Sequence, residues 1–160
     1  MNENLVLTLT THPLTTGARA INLRVPSEDD VNQAVNQAVN QAFLTGGVVR
    51  LVTELEVESP RNGFVRVDAI EMIALPGKFL LTVSPQQKLG ERSNQREWWQ
   101  PGEEKFQGTE KFREDEVDSR MLCRDAQVAI DLFAEFVAGR GVTPHLINST
   151  RSVWEPKPRG

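Results

Sequence analysis

Reactive side chains are scarce in this sequence. Its 160 residues include one cysteine, Cys123, and two histidines. A lone cysteine excludes an intramolecular disulfide and a cysteine-based metal cluster, and it is typical of the reducing cytoplasm. His12 and His145 each adjoin a proline in a predicted loop, and they lack the His-x-x-x-His spacing of a helical metal pair. We therefore expect no metal and no cofactor.

Other missing features disfavour whole classes of protein. No apolar run approaches the length that spans a membrane, and residues 1–4 do not begin a signal peptide. The net charge of −4 lacks the basic excess that is typical of nucleic-acid-binding proteins. We expect a cytoplasmic protein with no membrane partner and no direct nucleic-acid partner.

The chain also lacks a recognisable catalytic pattern. Gly46-Gly47 would end a helix rather than begin one, so the sequence indicates no phosphate-binding loop at a helix N-terminus. Carboxylates are plentiful, but no spacing selects a general acid–base pair. The length suits one domain over residues 1–160, with ends expected to fray at 1–3 and 155–160.

Residues 63–84 predict a β-hairpin at the centre of a sheet. Two apolar runs rich in β-branched residues flank Leu75-Pro76-Gly77-Lys78. Proline sets φ at the second position of a type II turn, and glycine supplies the positive φ of the third. The apolar alternation changes phase along the first arm, which predicts a β-bulge near residues 68–70.

Two strands and a helix precede this hairpin. Residues 4–11 and 18–25 alternate in polarity and predict a pair of strands. Ser27 is a good N-cap for a helix that the repeated Val-Asn-Gln-Ala pattern continues to Thr45-Gly46-Gly47. The Val and Ala positions form an apolar stripe, which predicts an amphipathic helix lying on the sheet. The alternative is that this stripe is a docking face for a partner.

A strand at residues 48–58 would complete a three-stranded meander with the hairpin. Its second face carries Glu54, Glu56 and Glu58 at every other position. This acidic ridge is interpreted as a solvated sheet face, and a cation or a basic partner is the alternative.

Residues 91–120 hold most of the net negative charge. Nine acidic and six basic residues there account for three of the four net negative charges. Phe106 and Phe112 interrupt the segment and favour short strands over disorder. Trp98 and Trp99 stand side by side, so in a strand they would point to opposite faces. Either both rings cap the sheet, or one is exposed as a binding anchor.

The C-terminal part predicts the second main helix. Ala129, Leu132, Phe133, Phe136 and Val137 follow helical spacing until Gly139-Arg140-Gly141. Asp125 is either its N-cap or a first-turn anion, and Cys123 just before it is interpreted as a buried, inert thiol. Residues 142–147 and 151–154 are expected to add short strands. Together these elements predict an α+β fold: an antiparallel β-sheet, meander at its centre, with two main helices packed on it.

The order of features from Val31 to Asn148 resembles that of bacterial immunity proteins, which neutralise polymorphic and contact-dependent toxins. The resemblance lies in the helix ending at Gly46-Gly47, the meander, the charged segment, residues 118–125 (DSRMLCRD) and the Phe-rich helical segment 132–139 (LFAEFVAG). The Asn-Gln-Ala repeats and the paired tryptophans depart from that pattern.

The resemblance implies a non-enzymatic cytoplasmic protein that binds the C-terminal domain of one cognate toxin, often a nuclease or a deaminase. Acidic side chains would complement the basic cleft of such a toxin. The candidate toxin-binding residues are Trp98, Trp99, Glu103, Glu104, Glu110, Glu114, Asp115, Glu116 and Asp118. The alternatives are a small ligand-binding or enzymatic domain, marked by a pocket with convergent polar groups, and a structural adaptor subunit, marked by a broad apolar patch.

Overall fold

A computed structural model of the chain describes residues 5–13, 19–23, 27–57, 63–86, 94–102 and 105–153. The strands are β1 (Leu5–Pro13), β2 (Arg19–Leu23), β3 (Gly47–Val57), β4 (Gly63–Leu75), β5 (Lys78–Ser84), β6 (Arg96–Trp98), β7 (Thr109–Phe112), β8 (Asp115–Asp118) and β9 (Thr150–Ser152). The helices are α1 (Glu28–Thr45), α2 (Ala126–Gly139) and α3 (Pro144–Asn148), and a 3-10 turn covers Ser119–Met121. The predicted fraying at 1–3 and 155–160 lies outside the described residues.

Seven strands form the main sheet in the order β2-β1-β3-β4-β5-β6-β9, and every neighbouring pair is antiparallel. The hairpin β7–β8 forms a separate two-stranded sheet. The consecutive neighbours β3, β4 and β5 are the predicted meander, and β4 is the middle strand of the seven. The predicted α+β class is therefore confirmed.

The turn of the central hairpin is formed by Pro76 and Gly77. Leu75 pairs with Lys78 across it, and Gly77 has φ +82°, the value that the third position of a type II turn requires. The Gly77 N–H donates to the Phe43 carbonyl at 2.8 Å. The turn is thus bound to the C-terminal end of α1 as well as closing the hairpin.

A β-bulge divides β4. Thr53 of β3 pairs with Asp68, but the next residue, Glu54, pairs with Arg66, so Val67 has no partner in the register. The bulge was predicted at residues 68–70 and lies one residue earlier. Beyond it, Ile70 and the apolar residues that follow at every second position face the helices, which explains the phase change in the sequence.

Both main helices lie on one face of the sheet. The core between them and the strands includes Leu7, Leu9, Val49, Leu51, Ile70, Met72, Phe79, Leu81 and Val83. Helix α1 buries Val31, Val35 and Val39 of its repeat against this core and packs on β1, β3, β4 and α2. The amphipathic-helix interpretation of the stripe is confirmed, and its buried residues are not available as a docking face.

The predicted ends of both helices are confirmed. The Ser27 hydroxyl accepts a hydrogen bond from the Asp30 N–H at 3.2 Å, and Gly46 caps the other end of α1 with φ +84°. Asp125 is the N-cap of α2 and accepts from the Gln127 N–H at 3.0 Å. Helix α2 ends at Gly139, and Arg140 adopts the left-handed conformation that glycine usually supplies.

One predicted strand is wrong. Residues 142–147 form a loop and most of α3, because the Thr143 hydroxyl caps this short helix by accepting from the Leu146 N–H at 3.2 Å. Pro144 occupies its first turn, where the missing N–H costs nothing. The strand predicted at 151–154 is confirmed in part as β9, which covers Thr150–Ser152; Val153 lies in a turn and Trp154 lies outside the described residues.

Asp68, next to the bulge, joins three parts of the fold. Its Oδ1 accepts from the Gln86 N–H just beyond β5, and its Oδ2 accepts from the Val142 N–H between α2 and α3, both at 2.7 Å. A Cβ on Gly141 would lie 2.4 Å from the same Oδ2, so this close approach requires glycine.

We predict that Asp68→Asn lowers the free energy of unfolding by about 1–3 kcal/mol, because an amide NH₂ replaces one acceptor of a charge-assisted hydrogen bond. Denaturant unfolding followed by circular dichroism measures the change. The matched control is Asp115→Asn, on an exposed strand residue, which we expect to shift stability by less than about 0.5 kcal/mol. Equal effects of the two substitutions would show that Asp68 does not hold the loops.

Candidate functional site

The hairpin β7–β8 presents the exposed part of the predicted acidic site. Its strands pair from Thr109 opposite Asp118 to Phe112 opposite Asp115. Arg113, in the turn, has a φ of +58°, a left-handed conformation that is uncommon outside glycine. The side chains of Glu114, Asp115 and Glu116 are exposed, and none of them forms an ion pair with a residue in the described ranges.

Other predicted acidic residues have structural partners. Glu110 forms ion pairs with Lys78, at 3.8 Å, and with Arg124. Asp118 is buried and pairs with Arg120. Glu103 and Glu104 lie outside the described residues. The structure therefore brings together three exposed carboxylates of the seven acidic candidates, and Lys111 and Arg113 are also exposed on the same hairpin.

Arg120 anchors the hairpin to the rest of the fold. Its side chain is only 1 % exposed, and its Nε and Nη2 donate to the two carboxylate oxygens of Asp118 at 2.9 and 2.6 Å. The guanidinium lies 4.6 Å from the ring centroid of Trp99 and 5.6 Å from that of Phe106. A bidentate ion pair between aromatic rings satisfies a charge that burial would otherwise make very costly.

Backbone hydrogen bonds hold the segments around this ion pair. The Gln100 N–H donates to the Arg120 carbonyl at 2.8 Å, and the Ser119 N–H donates to the Gly108 carbonyl at 3.1 Å. The end of β6, the start of the hairpin and the 3-10 turn therefore meet at Arg120. Sequence reasoning did not single out this residue. The available signal was the Asp-Ser-Arg spacing at 118–120, within a segment where many charges compete as partners.

Both tryptophans are largely buried, with exposed fractions of 7 % each. Trp98 belongs to the core under the helices, whereas Trp99 lies outside that core and has the guanidinium groups of Arg120 and Arg151 over its ring. The exposed-anchor interpretation is wrong, because neither ring is exposed, and this burial favours the alternative that both rings cap the sheet. The opposite strand faces that the sequence predicts do not apply here, because β6 ends at Trp98 and Trp99 lies just beyond it. Both rings nevertheless have packing partners.

The same tryptophans line a groove of about 460 Å³ at the β9 end of the sheet. Its walls come from α2, α3 and β9. The residues that line it include Val128, Asp131, Leu132, His145, Asn148, Ser149 and Arg151. Sequence reasoning missed this groove, because α3, which forms one wall, was predicted as a strand.

The acidic ridge predicted on β3 is described only in its backbone. Glu54 pairs with Arg66 and Glu56 pairs with Phe64 in the register of β3 and β4. Their side chains and all of Glu58 lie outside the described residues, so both interpretations of the ridge stay predictions.

Cys123 is buried, as predicted, and its backbone bridges to Phe79 of β5. Burial raises the pKa of its thiol, because the thiolate would lose solvation, and the charge of Asp125 acts in the same direction. The neutral thiol donates a long hydrogen bond to the Asp125 carbonyl at 3.5 Å. A thiol in this environment is a poor nucleophile.

Neither a metal site nor a membrane-spanning helix is found within the described ranges. No group of three or more His, Cys, Asp or Glu side chains there is arranged to hold a metal ion. No helix in the same part of the chain is both long and apolar enough to cross a membrane.

Comparison with known proteins informs the fold alone. No family model and no curated protein matches the sequence. The structure is similar to the crystal structure of a hypothetical protein from Neisseria gonorrhoeae, with a TM-score of 0.57 and 13 % sequence identity. The similarity covers 89 % of this chain and 93 % of that one. The same arrangement of strands and helices therefore occurs in a distant sequence.

We predict that the two partners of the buried ion pair are energetically coupled, so that replacing both costs less than the sum of replacing each one alone. Asp118→Asn and Arg120→Met should each lower the free energy of unfolding by about 3–5 kcal/mol, because each leaves a buried group without its partner. The double variant should lose clearly less than the sum of the two. Guanidinium unfolding of the four proteins measures the coupling, and additive losses would contradict the pairing.

We also predict that the Cys123 thiol reacts with an aromatic disulfide reagent more than about tenfold more slowly in the native protein than in the denaturant-unfolded chain. Equal rates would contradict its burial.

Because the folded-state pKa of the Cys123 thiol is raised, the contribution of this thiol to stability is complete below roughly pH 8.5 and is lost as the pH rises above that value. The decline should be smaller in Cys123→Ala, measured in parallel by denaturant unfolding.

Proposed function

We propose that this protein is a cytoplasmic immunity protein that binds the C-terminal domain of a cognate bacterial toxin and blocks its activity. The observation that carries the proposal is the acidic tip, defined as Glu114, Asp115 and Glu116. Its three carboxylates are exposed, adjacent in sequence, and without ion-pair partners among the described residues. The resemblance of residues 31–148 to immunity proteins supports the same function.

The physical basis is charge complementarity. A toxin that cleaves or deaminates nucleic acid needs a basic cleft for its substrate, and that cleft attracts a cluster of carboxylates. Complementary charges raise the association rate and favour the correct partner over others. The hairpin is short and is held by the buried Asp118–Arg120 pair, so the acidic tip loses little conformational freedom on binding. In this function the chain performs no chemistry of its own.

The direct test is co-expression with the product of the adjacent gene. A host that expresses that product alone should stop growing, and one that also expresses this chain should grow and yield a co-purifying complex. Unchanged toxicity in the presence of soluble, folded chain would overturn the proposal.

The acidic tip is tested by neutralising it. We predict that Glu114→Gln, Asp115→Asn and Glu116→Gln together weaken binding to that product by about 5- to 50-fold, mainly through slower association, and flatten its dependence on salt. Surface plasmon resonance at two ionic strengths measures both effects.

The matched control neutralises Glu28, Asp29 and Asp30, which are equally exposed but lie in the first turn of α1. This triple variant removes the same charge, and we expect its affinity to stay within about threefold of the native value. Equal losses in both variants would make the effect one of net charge. An effect in the control alone would move the interface away from the hairpin, with the acidic ridge on β3 as the next candidate.

A further inference from the structure

The groove at the β9 end of the sheet has the size and composition of a ligand site. Its volume of about 460 Å³ falls in the range of small-molecule pockets, roughly 300–1,000 Å³. Trp98, Val128 and Leu132 supply apolar surface, while Arg151, His145 and Asn148 supply polar groups. Apolar walls with a few polar groups are typical of pockets that bind and orient an organic ligand.

Arg151 is the arginine that lines this groove, and it has unused binding capacity. Its guanidinium lies 5.0 Å from the ring centroid of Trp99, and its side chain forms no ion pair and no hydrogen bond with any described residue. Glu97 is opposite Arg151 in the register of β6 and β9, but the two side chains do not form an ion pair within the described structure.

Two neighbouring arginines, Arg96 and Arg120, differ from Arg151 because their side chains have acceptors within the fold. Arg96 donates to the Thr150 hydroxyl at 3.0 Å and to the carbonyls of Ile147 and Thr150 at 3.1 and 2.9 Å. Arg120 pairs with Asp118. Each of these guanidinium groups has acceptors within the fold, whereas the Arg151 guanidinium contacts the Trp99 ring and has no acceptor among the described residues.

We infer that the groove binds a carboxylate attached to an apolar body, with Arg151 as the group that recognises the acid. The planar fork of N–H donors matches the two oxygens of a carboxylate, and the cation–π contact with the Trp99 ring restricts the guanidinium before the ligand arrives. Asp131 on α2 is the acidic residue lining the groove, and its carboxylate accepts from the Gln127 side chain at 2.8 Å. The Asp131 carboxylate repels the carboxylate of the ligand. The ligand's acid therefore lies on the β9 side, and its apolar body lies against Leu132 and Val128.

Two sources share this chemistry: a free organic acid and the C-terminal carboxylate of a peptide that ends in an apolar residue. The inference does not rest on the proposed immunity function, because the groove and the acidic tip involve different residues. If the chain did not bind a toxin, the inferred carboxylate site would still stand. If the groove did not bind a carboxylate, the proposed immunity function would still stand.

The test titrates the full chain with 3-phenylpropionate and with its uncharged amide by calorimetry, and then with a tripeptide ending in phenylalanine as the free acid and as the amide. We expect at least one acid to bind about tenfold or more tightly than its amide, because charge-assisted hydrogen bonds are lost with the charge. Whichever acid binds more tightly identifies the source. Equal binding of acid and amide in both pairs, or no saturable binding of either acid at about 20 mM, overturns the inference.

Variants locate the site. Arg151→Gln should weaken binding of the preferred acid by about 10- to 100-fold and leave the affinity for the amide nearly unchanged. The matched control, Arg140→Gln, removes an exposed arginine at the end of α2, and its affinity should stay within about twofold of the native value. Equal losses in the two variants, or no loss in Arg151→Gln, contradict the assignment. If Arg151→Gln does not fold, the acid–amide comparison on the native chain still decides the inference.

Discussion

The ion pair of Arg120 with Asp118 is the interaction on which the arrangement of the C-terminal half depends. A guanidinium with 1 % exposure is tolerated only because a bidentate carboxylate and two aromatic rings replace its water. This cluster joins the end of β6, the hairpin β7–β8 and the turn before α2. Trp99 also carries Arg151 over its ring, so one indole connects the base of the acidic tip to the wall of the groove.

A second constraint sets the shape of the sheet itself. The bulge at Val67 turns the apolar side of β4 toward the helices, and Asp68 beside it accepts hydrogen bonds from two loops that the strand order brings to the same point. Gly141 permits that approach because a side chain there would meet the carboxylate. The carboxylate therefore fixes where α3 starts, and α3 in turn forms one wall of the groove.

Local signals in the sequence were enough to predict most of the fold. Pro76-Gly77, Ser27 and the spacing from Ala129 to Val137 specify a turn, a cap and a buried helical face through contacts within a few residues. The site was less predictable. Asp118 and Glu110 look like surface charges in the sequence. The partner of Asp118 is only two residues away but competes there with many other charges, and Glu110 pairs with Lys78 and Arg124 from other parts of the chain. The burial of Trp99 depends on Arg151, which is 52 positions away, and α3 escaped notice because five residues give almost no periodicity.

We propose that the protein acts through the surface of its β7–β8 hairpin, which the buried ion pair holds in place. The most direct measurement is amide hydrogen exchange of the chain alone and in complex with the product of the adjacent gene. Protection should increase at residues 109–118 and stay unchanged along β1 and β2 at the far edge of the sheet. New protection confined to β1 and β2, with none at the hairpin, would contradict the claim.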